Sequence, residues 1–553
     1  MIVMIGMLVA FYAVVVGILY TTRKSREPDF NEYAVGGRSY GPWYIAWSYI
    51  NSWWPGSTFI AFFGLATGLG VFGFYGLAYS TLGVAFMYFM ATRAWRWGAK
   101  YGLRTQPDLM GKRFNSVWVR RIASVIGVVS LFPWIITVMQ ALAALFDVAG
   151  NGHWGYTTSL MIGLAAIVVR QIWTVQMGMR GLIMTDVFQG AVAYGGASLI
   201  CVLMLAGIGD TPVSFGDLGH VAQQYLRVPG DGDAYGPWYV FSLVLTGVVG
   251  SLCWPTSFQR IYTASSVRSV KKGTLITIFI SGIFYTLLML VGIAAAGMAG
   301  IIEAPQDGWF TLMNDYGGTW LLGLGVVIVF AASMGHIDGS VQVSGLQIAN
   351  DLFGTTTRMT DRQLTYVSKI CMVLAMILAA VLAFATKDME RMQLLAQMSY
   401  QGIVQLSVPL FLGIFWRGGN KYGAISGMLV GFVIAAALTW IYPDDIPALG
   451  SVTGGIIGLI VNLVVFLVVS AVTGRTEADR ARVEEFFAVA RGERTPPPVA
   501  GSRRRSQSGG WTVHRSDERP GVRVLRRHGR SPVRRHAQSL EEMGRRESTG
   551  GGR

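Results

Sequence analysis

Charged residues and cysteines are scarce in this 553-residue chain. Asp, Glu, Lys and Arg together make up 14% of it, and it has three cysteines. A soluble enzyme of this length is rarely so poor in charge. Cys201, Cys253 and Cys371 all fall inside long apolar stretches. The sequence therefore predicts that they are small apolar fillers, with no disulfide or metal framework.

Histidines are also few, and they do not cluster. Of the six, His336 lies in an apolar stretch, whereas the others lie in connections or near the C-terminus: His153, His220, His514, His528 and His536. An enzyme would need a nucleophile with its base, or a cluster of metal ligands. We therefore expect no enzymatic activity and no cofactor.

The chain instead has thirteen apolar stretches, each near the 20 or so residues that cross a bilayer. We predict spans near residues 1–20, 41–66, 70–92, 121–147, 156–175, 181–207, 237–258, 273–300, 319–350, 365–385, 392–415, 422–441 and 452–473. Hydrophobic residues make up 52% of the chain, and the mean hydropathy is +0.46. These values predict an all-α polytopic protein that lies in a lipid bilayer. We expect this bilayer to be the plasma membrane.

The connections between spans alternate in charge. Those after the odd-numbered spans carry most of the basic residues, including Arg96, Lys112 and Lys271, whereas the intervening ones contain mainly acidic residues such as Asp210 and Asp445. By the positive-inside rule the N-terminus is outside and the C-terminus is cytoplasmic. The first span lacks a preceding basic region and a small-residue cleavage site, so we expect a retained helix and not a signal peptide.

The C-terminal segment 497–553 explains most of the formal net charge of +15. It contains 14 arginines and five acidic residues, with many Ser, Gly and Pro. This composition predicts disorder. On a cytoplasmic tail such charge would attract anionic lipid headgroups, and we expect no nucleic-acid partner. Just before it, residues 477–494 mix charged and apolar residues at helical spacing, which predicts a short cytoplasmic helix.

The second and seventh spans contain small, polar and proline residues near their centres. The second has Asn51, Ser52, Pro55, Gly56 and Ser57, and the seventh has Gly250, Ser251 and Pro255. Proline removes an amide donor and clashes with the preceding turn, so we expect both helices to be kinked or unwound there. Two ordinary proline kinks are the alternative.

These two spans are five apart and therefore cross the bilayer in opposite directions. This pattern is typical of an inverted repeat of five helices with a binding site at the midplane. The sequence has no filter-like loop and no ring of acidic pore residues, and this argues against a channel. The candidate substrate-binding residues are Asn51, Ser52, Trp53, Trp54, Gly56, Ser57, Ser251, Trp254, Gln397 and Gln401.

The tryptophans and glutamines each leave two interpretations open. The indole rings would either hold a quaternary ammonium group by cation–π contact or form apolar walls. Gln393, Gln397, Gln401 and Gln405 recur every four residues in the eleventh span. This polar stripe either faces the cavity or joins neighbouring helices.

Four segments of the sequence resemble one family of membrane proteins. They are NEYAVGGR at 31–38, GMRGLIMTDVFQ at 178–189, QRIYTASS at 259–266 and WRGGNKYGAISG at 416–427. They are similar to motifs of the sodium:solute symporters, which include carriers of proline, pantothenate, sugars and short-chain monocarboxylates. The second segment is the most specific, and the resemblance covers about residues 1–475.

The resemblance implies a LeuT-type 5+5 inverted repeat with one extra N-terminal and two extra C-terminal helices. The layout would be an N-terminal helix and loop (1–40), a first repeat (41–207), an extracellular loop (208–236), a second repeat (237–415), two C-terminal helices (416–475) and a cytoplasmic helix with a basic tail (476–553). It implies alternating-access transport of a small organic solute, coupled to an ion gradient. Because few ionisable residues lie at the depth of the predicted pocket, we expect this solute to be neutral, zwitterionic or a monocarboxylate.

The ninth span departs from the family pattern. The family places Met-Ser-Thr there, and the two hydroxyls complete a sodium site with backbone carbonyls of the broken second span. This chain has Met334, Gly335 and His336, followed by Ile337 and Asp338. Imidazole suits protons or softer metals better than it suits sodium.

The candidate ion-coupling residues are Asp186, Gly335, His336 and Asp338. With His336, the carboxylates of Asp186 and Asp338 would form a proton relay. The coupling ion is a proton if this relay operates, or sodium if a rearranged sodium site is present. Arg170 lies near the inner end of its span, where we expect it to snorkel towards water. An ion-independent exchanger, and a membrane sensor or regulator on a transporter fold, are the alternatives.

Overall fold

The computed structural model describes residues 1–23, 29–228, 236, 238–357, 359–387 and 392–493, and it is helical throughout its main elements. The first ten helices are α1 (Ile2–Thr22), α2 (Phe30–Val35), α3 (Pro42–Trp53), α4 (Ala61–Leu69), α5 (Tyr75–Tyr101), α6 (Gln106–Phe114), α7 (Val117–Ala149), α8 (Gly155–Met177), α9 (Met179–Gly190) and α10 (Gly196–Leu205). A π-helical segment, Ala191–Gly195, joins α9 and α10 into one span.

The remaining helices are α11 (Trp238–Gly250), α12 (Pro255–Thr263), α13 (Val267–Ala294), α14 (Gly308–Gln347), α15 (Asp361–Ala385), α16 (Met392–Ile403), α17 (Ser407–Phe415), α18 (Lys421–Ile441), α19 (Gly454–Thr473) and α20 (Glu477–Arg491). Short 3₁₀ turns connect several of them, including Gly56–Phe59 and Ser251–Cys253. The backbone of α14 is not helical at Gly317 and Gly318, so its membrane-spanning part begins there.

The apolar helices follow the predicted spans. By length and composition, eleven helices of the described residues can cross a bilayer, or twelve if the bent pair α11 and α12 counts as one span. One of the eleven, Gly56–Tyr101, contains half of the predicted second span and all of the third. These two are separate helices, because α4 ends at Leu69 and Gly70 takes a positive φ of 62°. With them counted separately, the thirteen predicted spans are accounted for.

Two details differ from the predicted spans. The third span was predicted to end near residue 92. Helix α5 continues to Tyr101, and its last turns contain the basic residues Arg93, Arg96 and Lys100, which hydropathy does not count as part of a span. The eleventh span is divided into α16 and α17 by the 3₁₀ turn Val404–Leu406. The basic tail 497–553 lies outside the described residues.

Helix α14 passes through the middle of the protein. Every residue of 325–347 is buried, and the helix packs against α1, α3, α7, α9 and α15. A helix that is covered on all sides belongs to the core and not to the lipid boundary. In contrast, the outer helices expose large apolar side chains, such as Trp440 of α18 and Val472 of α19. An apolar outer surface of this kind suits a bilayer.

Arginine side chains tie the helix ends together on one side of the molecule. The Arg38 guanidinium donates hydrogen bonds to the carbonyls of Gly98 at 2.9 Å, Leu103 at 2.5 Å and Tyr262 at 3.2 Å. These contacts connect the start of α3 with the ends of α5 and α12. We call this the basic side, and the opposite side, where α4 and α10 end and α11 begins, the acidic side.

The predicted short helix before the tail is present as α20 and packs on the basic side. The Trp97 ring stacks on Phe486 with centroids 4.1 Å apart, and its Nε1 donates to the Phe486 carbonyl at 2.7 Å. Arg482 donates to the Arg113 carbonyl at 3.0 Å. Helix α20 is therefore a docked part of the protein and not a solvated extension.

Candidate functional site

The first helix break lies where Pro55 predicts it. Helix α3 ends at Trp53, Trp54 is extended with φ −100° and ψ 92°, and the chain turns through Gly56–Phe59 before α4 begins. The pyrrolidine ring disfavours helical geometry at the preceding residue and supplies no amide hydrogen. The helix therefore opens at Trp54 and Pro55.

The second break repeats this arrangement in α11 and α12. The chain leaves α11 at Gly250, forms the turn Ser251–Cys253, is extended at Trp254 and starts α12 at Pro255. The two parts are bent by 42°. Proline is favoured at the first position of a helix, which explains why α12 begins there.

The buried carboxylate of Asp186 on α9 lies against the first break. Its Oδ2 accepts a hydrogen bond from Ser48 Oγ at 2.5 Å, and its Oδ1 accepts one from Asn51 Nδ2 at 2.9 Å. Arg260 Nη2 of α12 is 3.6 Å from Oδ2, and both ionic side chains are fully buried. This cluster therefore joins α3, α9 and α12, that is, the two broken helices and the sixth span.

Arg260 is held in a set of oxygen atoms. Its Nε donates to Ser48 Oγ at 3.1 Å and its Nη1 to the Thr256 carbonyl at 3.1 Å, while Nη2 also contacts Ser52 Oγ. A charge inside a membrane protein is tolerated where such partners surround it. The seventh span was predicted to end near residue 258, which places Arg260 in the following connection, whereas the structure buries it inside the protein.

His336 on α14 contacts the opened end of α3. Its Nδ1 is 2.7 Å from the Ser52 carbonyl oxygen, and its Nε2 is 3.3 Å from Ser340 Oγ. A carbonyl oxygen accepts, so Nδ1 must carry the hydrogen and donate. The imidazole thus uses a backbone oxygen next to the break, where the family resemblance implies a sodium ligand.

Two glycines allow α3 and α14 to come this close. A Cβ at Gly335 would overlap the Asn51 side-chain amide, and a Cβ at Gly56 would overlap Ser333 Oγ and the Val329 carbonyl. The position that holds a hydroxyl in the family pattern therefore has no room for one here. The residues present do not fit the family's hydroxyl arrangement for sodium.

The second intramembrane carboxylate, Asp338, is paired with Arg170. Arg170 Nη1 forms an ion pair with Oδ2, and Gln171 Nε2 donates to Oδ1 at 2.6 Å. Arg170 Nη2 donates to Thr185 Oγ1 at 2.8 Å, and Nη1 also reaches the Met334 carbonyl at 3.4 Å. Arg170 is fully buried, so the expectation that it snorkels is wrong, because its counter-charge is inside the protein.

The predicted relay between imidazole and carboxylate is not formed in this arrangement. Among the described residues, His336 shares no hydrogen bond with Asp186 or Asp338, because each carboxylate faces an arginine. Arg170 and Arg260 were not among the candidate site residues predicted from the sequence. The available signal was their position within or next to apolar segments, where an ionisable residue indicates a functional site by default.

A small cavity lies on the acidic side of the breaks, between α4, α5, α11 and α16. It is lined by Phe62, Tyr75, Tyr79, Leu243, Thr246, Gly247, Gln397, Tyr400 and Gln401. None of these nine carries a formal charge. The Gln397 amide donates to the Tyr239 hydroxyl at 3.1 Å, while its Oε1 is buried with no hydrogen-bond partner. That oxygen is the clearest free acceptor near the cavity.

The glutamine stripe has both of the roles considered for it. Gln401 borders the cavity and its Oε1 also accepts from the Gly455 amide at 2.5 Å. Gln405 donates to the Gly455 carbonyl at 3.1 Å and so joins α19. Gln397 faces the cavity, and the side chain of Gln393 lies outside the described residues.

The three candidate tryptophans take different positions. Trp53 stacks on Tyr49 with centroids 5.7 Å apart, and Trp254 meets Tyr400 edge-on at 5.3 Å. Trp54 instead stacks on Tyr285 of α13 at 4.4 Å, away from the cavity lining. The buried hydroxyl of Ser57 has no hydrogen-bond partner, whereas Ser251 donates to the Val248 carbonyl at 2.9 Å.

A solved structure has the same fold. A Na⁺-coupled sialic acid symporter, in a substrate-bound outward-open state, is similar with a TM-score of 0.66 and 17% sequence identity, over 85% of this chain and 98% of that one. This similarity confirms the LeuT-type fold. Two discontinuous helices that meet at the bilayer midplane are a common arrangement among secondary transporters.

The chain belongs to the sodium:solute symporter family, whose model matches residues 33–431. It is 25% identical over 445 residues to the sodium/pantothenate symporter of Escherichia coli, covering 78% of this chain and 89% of that protein. It is 23% identical over 434 residues to the high-affinity proline transporter of Bacillus subtilis, covering 75% and 87%. The protein is thus an ion-coupled, multi-pass transporter of a small solute in the cell membrane, and its relatives are transporters and not enzymes.

Proposed function

We propose that this transporter uses a proton as its coupling ion and His336 as the group that responds to it. The observation that carries the proposal is the 2.7 Å contact between His336 Nδ1 and the Ser52 carbonyl at the helix break. This contact links α14 to α3, the helices that must separate or rotate in alternating access. In the neutral imidazole, Nε2 is a hydrogen-bond acceptor that faces Ser340. Protonation would turn Nε2 into a second donor.

The surroundings of His336 support this role. The two nearby carboxylates, Asp186 and Asp338, are paired with Arg260 and Arg170. A proton on the His336 imidazole would therefore add a positive charge that neither carboxylate already balances. A proton gained or lost there changes the net charge of the buried cluster by one unit. A change of this kind would alter the stability of the contact with Ser52 and hence the balance between transporter states.

Sodium coupling is the second candidate, and it has its own support. The family and the structurally similar symporter are named for sodium, and Ser57 Oγ and Thr58 Oγ1 are buried near the break with no hydrogen-bond partners. Hydroxyl oxygens are suitable ligands for a hard cation. Ion-independent exchange of solutes is a further alternative.

Uptake into proteoliposomes distinguishes these candidates. We expect an inward proton gradient to drive uptake by the wild type without sodium, and His336→Ala to lower that uptake by about tenfold or more, because the proton-binding group is gone. His153→Ala is the matched control, since His153 is exposed outside the spans. Uptake that follows an inward sodium gradient and survives His336→Ala would contradict proton coupling.

We propose a small neutral, zwitterionic or monocarboxylate solute as substrate. The uncharged cavity lining supports a compact solute with at least one donor group for Gln397 Oε1. Relatives are named for pantothenate and proline. The N-terminal end of α12 at the second break would favour a carboxylate of the solute. Short monocarboxylates, proline-like zwitterions and betaines are therefore the first solutes to screen.

The proposed layout assigns 41–207 and 237–415 to the two repeats, with the basic side in the cytoplasm and the N-terminus outside. The distribution of Arg and Lys supports this orientation. We propose no catalytic activity, no cofactor, no nucleic-acid partner and no sensor function. Among the described residues no group of three His, Cys, Asp or Glu side chains is placed to hold a metal ion.

Deleting residues 497–553 should leave uptake unchanged, because the proposed role of this basic segment is weak attraction to anionic lipid and not transport. The deletion begins after the end of α20, so the contacts of Trp97 and Arg113 with that helix are retained. The measurement is uptake per mole of reconstituted protein in vesicles with and without anionic lipid. A loss of uptake at equal reconstitution would show that the tail takes part in transport.

A further inference from the structure

The guanidinium of Arg170 lies where a small cation would fit. Three oxygen atoms from two other helices surround it: Thr185 Oγ1 of α9, and the Met334 carbonyl and Asp338 Oδ2 of α14. A hydroxyl, a backbone carbonyl and a carboxylate are the ligand types that hard cations prefer. All three residues, like Arg170, are fully buried.

The carboxylate is fixed in place from its other side. Gln171 Nε2 donates to Asp338 Oδ1 at 2.6 Å, which leaves Oδ2 directed at the guanidinium. Thr185 Oγ1 donates within its own helix, to the carbonyls of Gly181 at 3.1 Å and Leu182 at 3.0 Å. Its lone pairs can therefore face Arg170. Thus Thr185 Oγ1, and the Asp338 carboxylate through its other oxygen Oδ1, have hydrogen bonds that do not involve Arg170.

We propose that Arg170 is a tethered cation that fills an oxygen-lined site formed by Thr185, Met334 and Asp338, and that this site binds a free sodium ion when the guanidinium is removed. A charge attached to the chain cannot be released, so the wild-type site takes no ion from solution. The charge of Asp338 is then balanced in every transporter state in which the pair stays intact.

The site is separate from the His336 contact but next to it in the chain, since Met334 and Asp338 lie two residues on either side of His336. The inference rests on the proposed function for its meaning in transport, because a permanently filled site leaves His336 as the coupling group. Its test measures ion binding and not uptake, so the two can fail independently.

The experiment compares purified full-length wild type, Arg170→Ala, Arg170→Lys and the double variant Arg170→Ala/Asp338→Asn. For each, Tm and the binding of radioactive sodium are measured in sodium chloride and in choline chloride at equal ionic strength. We expect sodium to raise the Tm of Arg170→Ala by about 3 °C or more, as a ligand that binds the folded state does, and one sodium ion to bind.

The controls define what would overturn the inference. Arg170→Lys keeps a tethered cation and should show no such shift, and the double variant should lose it because the carboxylate is gone. Equal sodium binding by Arg170→Ala and wild type contradicts the inference. So does an Arg170→Ala protein that folds in neither salt while the double variant folds, because sodium would then have failed to balance Asp338. Sodium-driven uptake by the wild type would contradict the proposed function but not this inference.

Discussion

Arg260→Met should stop transport and lower the free energy of unfolding by about 3–5 kcal/mol, the usual cost of removing one partner of a buried ion pair. The substitution keeps most of the side-chain volume but leaves Asp186 without its counter-charge, and Ser48 and Ser52 lose a donor. Thermal unfolding of the purified protein and solute uptake are the two measurements.

A double-mutant cycle with Asp186→Asn tests whether the pair, and not Arg260 alone, is responsible. Asp186→Asn should impair uptake while the protein remains in the membrane, because Arg260 then lacks its carboxylate. The double variant should be more stable than Arg260→Met, since no uncompensated charge is left. Additive losses in the cycle, or unchanged uptake in Asp186→Asn, would remove the pair from the transport mechanism.

Gly335→Ala should reduce uptake at least tenfold, although it adds one methyl group. The new Cβ would overlap the Asn51 amide, which donates to Asp186 at 2.9 Å and to Gln189 at 3.2 Å. Asn51 would have to move, and overpacking of a well-filled core costs about 1–3 kcal/mol. Uptake and Tm of the reconstituted variant check this expectation.

Gly282→Ala is the matched control for this substitution. Gly282 is also helical, in α13, but a Cβ there would meet no atom within 4 Å. We expect normal uptake and a small gain in stability, because alanine is favoured over glycine in helices by about 1 kcal/mol. If both variants behave alike, the close approach of α14 to Asn51 is not required for transport.

The spans and both helix breaks could be predicted because their causes are local. The apolar stretches had to be long enough to cross the bilayer, and Pro55 and Pro255 each prevent helical hydrogen bonding at a fixed place in the chain. The short helix α20 was predictable for the same reason, since its apolar residues recur at helical spacing. The family resemblance added the order of the helices and hence the LeuT-type fold.

The partners of the charged residues could not be predicted in this way. Helix α14, which carries Asp338, contains no Lys or Arg. The counter-charge of Asp338 comes from Arg170 on α8. Asp186 is likewise paired through α12 and hydrogen-bonded through α3. The expected relay with His336 is not formed, because each of the two carboxylates faces an arginine from another helix.

The sequence by itself determined that this is a polytopic helical membrane protein with two broken helices, since hydropathy and proline geometry act over a few residues, and its family resemblance implied transport. The tertiary structure alone decided which ligands and charges meet at the breaks. In a medium that cannot solvate ions, each buried charge must find its partner wherever the packing of distant helices brings one. That requirement brings Arg170 to Asp338, Arg260 to Asp186, and the imidazole of His336 to the open carbonyl of Ser52.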